Sequence, residues 1–146
     1  MHIQANEIAK TQDIKLYVEI HINAGGGSGP EVLVFGKSEV ANQYASKVSN
    51  ELSSTLNLPN RGVKTRNLIV LNRTVMPAIL VECLFADSDD ADKYDPEVIA
   101  RWLWEVKKSR CGSGLMGNVM LLERMVRCIV IVLRLMGGEL MEMGVG

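Results

Sequence analysis

The chain has 146 residues and a formal charge of −1. That is one domain's length, enough to enclose a single core, and the near-neutral charge argues against nucleic acid or an anionic membrane surface as partner. Three cysteines, Cys83, Cys111 and Cys128, form neither a Cys-x-x-Cys pair nor an even-numbered set, which excludes a disulfide scaffold and a cysteine-rich metal site.

In chain order, Ile3–Thr11 has the spacing of a short helix, with Ile3, Ile8 and Ala9 apolar between polar neighbours. No basic and apolar leader precedes it, so no signal peptide is expected. Leu16–Ile22 is rich in β-branched residues and alternates through Tyr17, Glu19 and His21, which predicts a strand. Gly25 to Pro30 is a flexible loop, and Glu31–Phe35 a second strand. Ser38 is placed to cap a long helix whose Val40, Ala41, Tyr44, Ala45, Val48, Leu52 and Leu56 recur at helical spacing. Pro59-Asn60-Arg61-Gly62 breaks it. Asn67–Asn72 and Ala78–Leu84 predict two more strands. Asp95-Pro96 opens a last helix, with Val98, Ile99, Leu103 and Val106 on one face. Strands mixed with helices, and unbroken apolar runs in the later strands, predict an α/β fold: a mixed, mostly parallel sheet flanked by helices on both faces.

Composition changes near Arg110. Between Cys111 and Gly146 there is no Lys, Asp, Pro, Ala or aromatic residue, yet six of the eight methionines and seven of the thirteen glycines lie there. The apolar stretch Leu115–Met136 is interrupted by Glu123, Arg124, Arg127 and Arg134, so it lacks the roughly 18 uncharged residues a membrane-spanning helix needs. An amphipathic helix, including one lying on a membrane surface, and a disordered tail both account for this composition. The reading preferred is an out-of-frame translation. Leu-Met-Gly occurs at Leu115 and again at Leu135, twenty residues apart. Read from the third base of each codon, Met-Gly forces a glycine, and permitted codon choices make the segment a Trp- and Gly-rich run.

Two strands carry the residues suited to chemistry. His21 lies at the end of the first, just before the glycine loop, where α/β folds place their sites; position alone favours a histidine hydrogen-bonded in the core. Glu82 follows Ala-Ile-Leu-Val, where a carboxylate is costly to bury without a partner. A near-buried Glu with a raised pKa is suited to take a proton from water and pass it on. A strand-end Glu paired with Lys or Arg accounts for it equally well. Gly36-Lys37-Ser38 lacks the first glycine of a phosphate-binding loop, since Glu31 stands there. Asp87 to Asp92 lacks the central Gly and terminal Glu of a calcium loop, and a solvated turn with helix capping is expected instead. Trp102 and Trp104 are expected to serve packing, and Cys83 to be a buried small apolar residue.

Several of these segments occur in an order that resembles the zinc-dependent N-acetylmuramoyl-L-alanine amidases of the amidase-3 type, found in bacterial autolysins and phage endolysins. The resemblance runs from about Ile3 to Lys108. Leu16-Tyr17-Val18-Glu19-Ile20-His21-Ile22-Asn23-Ala24 looks like the family's strand bearing a metal-binding His. Gly29-Pro30-Glu31-Val32 is similar to its Gly-x-Glu strand. Arg61-Gly62-Val63-Lys64 and then Asn67 to Leu71 resemble the segment leading to its active-site strand. Met76-Pro77-Ala78-Ile79-Leu80-Val81-Glu82 matches its late motif. The resemblance implies Glu82 as the catalytic carboxylate and His21 as one zinc ligand. The family's other two ligands, a His in a Gly-His-Gly turn and a Glu on the following helix, have no counterpart here; His2, Glu7 and Glu19 do not match them. It implies Zn2+ as cofactor, peptidoglycan as partner, and action at the cell wall, extracellular or released at lysis. The reaction implied is hydrolysis, by zinc-activated water, of the amide joining N-acetylmuramic acid to L-alanine. Residues 1-110 are then the later part of such a domain, expected to leave an open apolar sheet edge. Residues 111-146 are an aberrant tail, a frame-shifted form of the Trp- and Gly-rich repeats with which lytic enzymes bind walls. With two ligands missing, the chain alone is expected to be inactive; a non-catalytic peptidoglycan-binding fragment is the alternative.

Overall fold

The computed structural model describes residues 2–11, 14, 16–36, 38–99 and 129–133. The elements are helix α1 (His2–Ala9), strands β1 (Leu16–Asn23) and β2 (Glu31–Val34), helix α2 (Glu39–Leu56), strand β3 (Val63–Thr65), the short helix α3 (Ile69–Asn72), strand β4 (Ala78–Phe85), a 3-10 turn (Asp89–Lys93), and strand β5 (Ile129–Leu133). The five strands form one sheet in the order β3-β2-β4-β1-β5. β1 runs parallel to β4 and to β5, β2 runs parallel to β3, and only the β2–β4 pair is antiparallel. The expected mixed, mostly parallel sheet is therefore present.

Alternation along the strands divides the sheet into two faces. Leu16, Val18 and Ile20 of β1, Val32 and Val34 of β2, and Ile79, Val81 and Cys83 of β4 are buried together under Ala41, Ala45, Val48, Leu52 and Leu56 of α2. Cys83 is the small buried residue expected, and burial pushes its thiol pKa up to about 12, with Glu82 beside it adding to the shift. The other face packs Tyr17, Leu33, Ala78 and Leu80 against Ala5 of α1 and Leu71 of α3. Helices thus cover both faces. Asn6 ties α1 to the loop after α3, donating to the Arg73 carbonyl at 2.7 Å and accepting from the Val75 N–H at 2.9 Å.

Helix α2 starts and stops where local chemistry dictates. The Ser38 hydroxyl accepts the Ala41 N–H at 3.1 Å, satisfying one of the unpaired donors of the first turn. Asn57 ends the helix in the left-handed region at φ 52°, a conformation Asn tolerates better than most residues. Leu58 N–H then returns to the Ser53 carbonyl at 3.1 Å.

Two expectations are corrected. The run 67–72 is not a strand: Leu71 and Asn72 N–H groups both reach the Leu68 carbonyl at 3.0 Å, and Arg73 N–H reaches Ile69, closing the helical turn of α3. Short apolar runs do not distinguish strand from helix by periodicity, and the strand beside β2 is Val63–Thr65 instead. The second correction concerns the aspartate turn and belongs to the site. Beyond β1 the sheet continues, since Leu16 to Ile20 pair in parallel with Ile129 to Leu133, which places the apolar strand β5 at that end of the strand order. The last predicted helix opens as expected: residues 96–99 are helical, and the Asp95 carboxylate accepts the Glu97 and Val98 N–H groups at 2.8 and 3.2 Å. Trp102, Trp104 and the tail on either side of β5 lie outside the described residues.

Candidate active site

Register places three ionisable side chains in a row across the middle of the sheet. His21 of β1 is the partner of Glu82 in β4, and Glu82 is the partner of Glu31 in β2. Paired residues project to the same side, so all three occupy the face opposite α2. The register of β1 against β4 slips between His21 and Asn23; such irregularities re-aim side chains at sheet ends. His21 and Glu82, singled out separately from sequence, are thereby brought together, with Nδ1 of the imidazole 4.0 Å from Oε1 of Glu82.

His21 is held from its other side. Its Nε2 lies 3.0 Å from Oε1 of Glu19, and the Tyr17 hydroxyl donates to Oε2 of Glu19 at 3.2 Å. Tyr17 and Glu19 are both buried, Glu19 with 2% of its surface exposed. Burial, helped by the adjacent Glu19 carboxylate, drives the Tyr17 hydroxyl pKa far above its usual 10.0, so it stays a donor.

The Glu82 side chain is 14% exposed, and its Oε2 is buried with no hydrogen-bond partner among the described residues. Burial raises its pKa above the usual 4.5; the negative neighbours Glu31 and Glu19 add to the rise, and His21 opposes it. A carboxyl so placed is biased towards its protonated, neutral form.

Glu31 stands directly across from Glu82, and two like charges so placed repel. Two cations relieve the repulsion. Lys64 Nζ lies 2.5 Å and Arg61 Nε 2.8 Å from Oε2 of Glu31. Burial alone would raise the Glu31 pKa, but the hydrogen bonds from Lys64 and Arg61 outweigh it and hold the pKa below 4.5. The Arg61 guanidinium also sits over the Phe85 ring, 5.0 Å from its centroid, a separation at which cation and ring attract. Neighbouring carboxyls on one sheet face are thus pushed in opposite directions: Glu31 is held charged, and Glu82 is biased towards neutrality.

The glycine loop after His21 is latched, not free. Asp87 accepts the Gly25 N–H at 2.7 Å and the Gly26 N–H at 3.1 Å. Asp90 accepts from the Ser28 hydroxyl and the Gly29 N–H, each at 2.7 Å, and from the Phe85 N–H at 3.2 Å. Gly29 has φ +91°, and a Cβ there would collide with the Pro59 carbonyl oxygen, so no other residue fits. The aspartate turn expected to be solvated therefore contains a buried carboxylate, 2% exposed, because the unpaired N–H groups of the loop need an acceptor. Spacing along the chain carries no signal for this, since the loop and Asp90 are about sixty residues apart. Glu19 did leave a signal, the Tyr17-Glu19-His21 alternation.

Among the described residues no three His, Cys, Asp or Glu side chains are arranged to hold a metal ion, and no helix is long and apolar enough to cross a membrane.

Residues 3–95 match the family model Amidase_3, N-acetylmuramoyl-L-alanine amidase. The chain is 35% identical over 92 residues to the N-acetylmuramoyl-L-alanine amidase CwlM of Bacillus licheniformis, an alignment covering 62% of this chain and 36% of that protein. It is 35% identical over 79 residues to a sporulation-specific N-acetylmuramoyl-L-alanine amidase of Bacillus subtilis, covering 53% and 31%. The chain therefore spans about a third of the length of these relatives. The catalytic domain of the CD27L endolysin, which targets Clostridium difficile, superposes with a TM-score of 0.58 at 30% identity, over 71% of this chain and 61% of that one. An N-acetylmuramoyl-L-alanine amidase from Clostridium difficile shares the fold, with a TM-score of 0.60 at 23% identity over 75% and 67%.

Proposed function

The chain belongs to the amidase-3 family of N-acetylmuramoyl-L-alanine amidases, and from that membership we propose that it is the part of a peptidoglycan hydrolase that carries the water-activating carboxylate. The substrate is peptidoglycan, and the bond attacked is the amide between N-acetylmuramic acid and L-alanine. The action is at the cell wall. Residues 1-110 are the amidase-like part, and 111-146 a tail of different origin, a frame-shifted wall-binding region. The observation that carries the reading is the pairing of His21 with Glu82 across adjacent strands, 4.0 Å apart, inside the segment the family model matches.

In this proposal Glu82 is the catalytic residue. A carboxyl whose pKa is pushed up by burial takes a proton from water more readily than an exposed one and returns it to a leaving amine. Glu31, held charged by its ion pairs with Lys64 and Arg61, leaves that proton to Glu82. His21 closes the other wall of the site and is the one residue assigned to bind metal. The family resemblance implies Zn2+, but the described residues do not fit it by themselves. They offer a single imidazole, and the carboxylate facing it is the proposed proton carrier, whereas catalytic zinc is usually held by three protein ligands. The chain alone is therefore expected to hold zinc weakly and to release no stem peptide.

The alternative, a non-catalytic peptidoglycan-binding fragment, is favoured by that same shortfall of ligands. The test incubates the full chain, with added zinc, on purified peptidoglycan and scores both co-sedimentation and newly exposed L-alanine amino groups. Co-sedimentation without release is the expected result. Release abolished by Glu82→Gln would overturn the incompleteness of the site. Failure to sediment would overturn the peptidoglycan reading.

A further inference from the structure

We propose that Arg61 is a specificity-determining residue, binding a carboxylate of the peptide stem through the two Nη groups of its guanidinium. This deepens the reading of the site as one that acts on peptidoglycan, and it rests on that reading. A guanidinium carries five N–H donors in a flat fork and no acceptor. Arg61 donates its Nε–H to Oε2 of Glu31 at 2.8 Å, and its guanidinium carbon lies over the Phe85 ring, 5.0 Å from the centroid. Among the described residues no other group accepts from this side chain, except the cleft itself, onto which the Nη1–Nη2 edge is left. That edge is the fork that takes a carboxylate end-on, in two parallel N–H···O bonds. Glu31 is not free to swing round and fill it: its Oε2 also accepts from Lys64 at 2.5 Å, and Asn23 Nδ2 reaches its Oε1 at 3.5 Å. One carboxylate facing two cations leaves an excess of positive charge. Both cations keep about a third of their side-chain surface exposed, 34% for Arg61 and 31% for Lys64, so an incoming anion can reach them.

The guanidinium is also held in place. Phe85 is buried, and a Cβ on Gly27 would run into its ring, so the ring is packed against the glycine loop that Asp87 and Asp90 latch at Gly25 and Gly29. The Arg61 N–H donates to the Pro30 carbonyl at 3.0 Å, which ties the residue to the start of β2. Glu31 is the register partner of Glu82, so Arg61 extends the row of His21, Glu82 and Glu31 by one more side chain. Neighbouring strands lie about 4.8 Å apart, and an extended peptide spans about 3.5 Å per residue. A carboxylate one or two residues from a bond cleaved beside Glu82 therefore comes within reach of Arg61. The stem is joined to N-acetylmuramic acid through its N-terminus, so its carboxylates all lie on the peptide side of that bond.

The test reads binding and needs neither metal nor activity. The full chain is titrated by NMR with N-acetylmuramoyl-L-alanyl-D-glutamate and with the same compound amidated at both glutamate carboxylates. The acid is expected to bind about tenfold more tightly than the diamide, and the two singly amidated forms identify the carboxylate that is held. In Arg61→Gln the advantage of the acid is expected to be lost. Arg61→Lys, which keeps the charge but not the fork, should recover only part of it. Equal affinity of the native chain for acid and diamide overturns the inference and leaves the peptidoglycan reading standing. A folded Arg61→Gln that keeps the advantage, or that weakens both probes alike, also overturns it, because Arg61 would then only shape the surroundings of Glu31. If Arg61→Gln does not fold, the native comparison still decides. Binding of neither probe overturns the inference, and failure to sediment with peptidoglycan then shows that the reading beneath it has gone as well.

Discussion

The two faces of the sheet are made by alternate residues of the same strands, yet only one of them is apolar along its whole length. Under α2 every strand residue that reaches the core is apolar, from Leu16, Val18 and Ile20 to Val32, Val34, Ile79 and Val81. The opposite face begins apolar, with Tyr17, Ala78, Leu80 and Leu33 under α1 and α3, and turns ionic one step further along, at His21, Glu82 and Glu31. The difference shows how a small fold holds a charged row inside its body. One face supplies the hydrophobic stabilisation, and the other supports its charges with cations at Glu31 and a latched glycine loop alongside. Cutting into the apolar face should cost stability heavily. Cutting into the ionic row should cost little, or even stabilise.

The largest effect is expected from Ile79→Ala. Ile79 is fully buried at the centre of the α2 face, so the substitution removes its transfer energy and leaves a cavity. A loss of about 3–4 kcal/mol is predicted, enough to bring a marginal domain close to unfolding. Urea denaturation of the two proteins measures it, and a loss below about 1 kcal/mol would show that the α2 face is loosely packed.

Asp90→Ala should come next, at about 2–3 kcal/mol. It strands the Gly29 and Phe85 N–H groups and the Ser28 hydroxyl, and two of those donors are backbone that cannot turn away to water. The same substitution should release the glycine loop, read as faster amide exchange at Gly29 than at α2. Equal exchange at both would mean that Asp90 caps its own turn and nothing more.

Lys64→Met sharpens the comparison within the ionic row, with an expected cost of about 1 kcal/mol near neutral pH. Glu31 has its pKa lowered by Lys64 and Arg61 against the pull of burial. A depressed folded-state pKa stabilises above the ordinary value of 4.5, and that contribution is lost as pH falls through the folded-state value. The gap between native and Lys64→Met stabilities should therefore be widest above 4.5 and close on acidification. A gap independent of pH would assign the effect to the packing of the lysine stem instead of its charge.

How much of this was legible in the sequence follows from the same contrast. The α2 face was largely legible, because helical spacing, the Ser38 cap and β-branched runs are local signals; Val40, counted on that face from its spacing, is exposed in the first turn, and Ser49 is buried in its place. His21 and Glu82 were legible as single residues, and their juxtaposition as the consequence of two strands pairing. The supports of the site were less so. Asp90 acts on a loop distant in sequence, and nothing local distinguishes a buried Asp from the solvated ones around it. Glu31, Arg61 and Lys64 lie in segments that the resemblance quoted, but their mutual contact depends on β2, β3 and β4 being neighbours. The run 67–72 was misread for the opposite reason: its apolar pattern is local, but too short to fix a period. Ile129 to Leu133 carries a plain strand signal of β-branched residues, which the unusual composition around it obscured; its pairing with β1 is decided by which edge is available.

Glu82→Gln is expected to have the smallest effect on stability and the opposite sign, a gain of about 1 kcal/mol. Burial raises the Glu82 pKa, with Glu31 and Glu19 adding and His21 opposing. A raised folded-state pKa for an acid means that the folded protein binds its proton more tightly than the unfolded chain. Stability is then fully present below the ordinary 4.5 and declines as pH rises through the folded-state value. A glutamine of the same shape carries no charge, so its advantage should be absent in acid and grow towards alkaline pH. Thermal melting at several pH values checks the sign. If Glu82→Gln destabilises at alkaline pH, the carboxylate is satisfied by contacts that burial alone does not describe, and the case for a carboxyl held ready for a proton fails with it. If it stabilises, the native carboxylate is kept at a cost to the fold, which is what selection for chemistry at that position would leave behind.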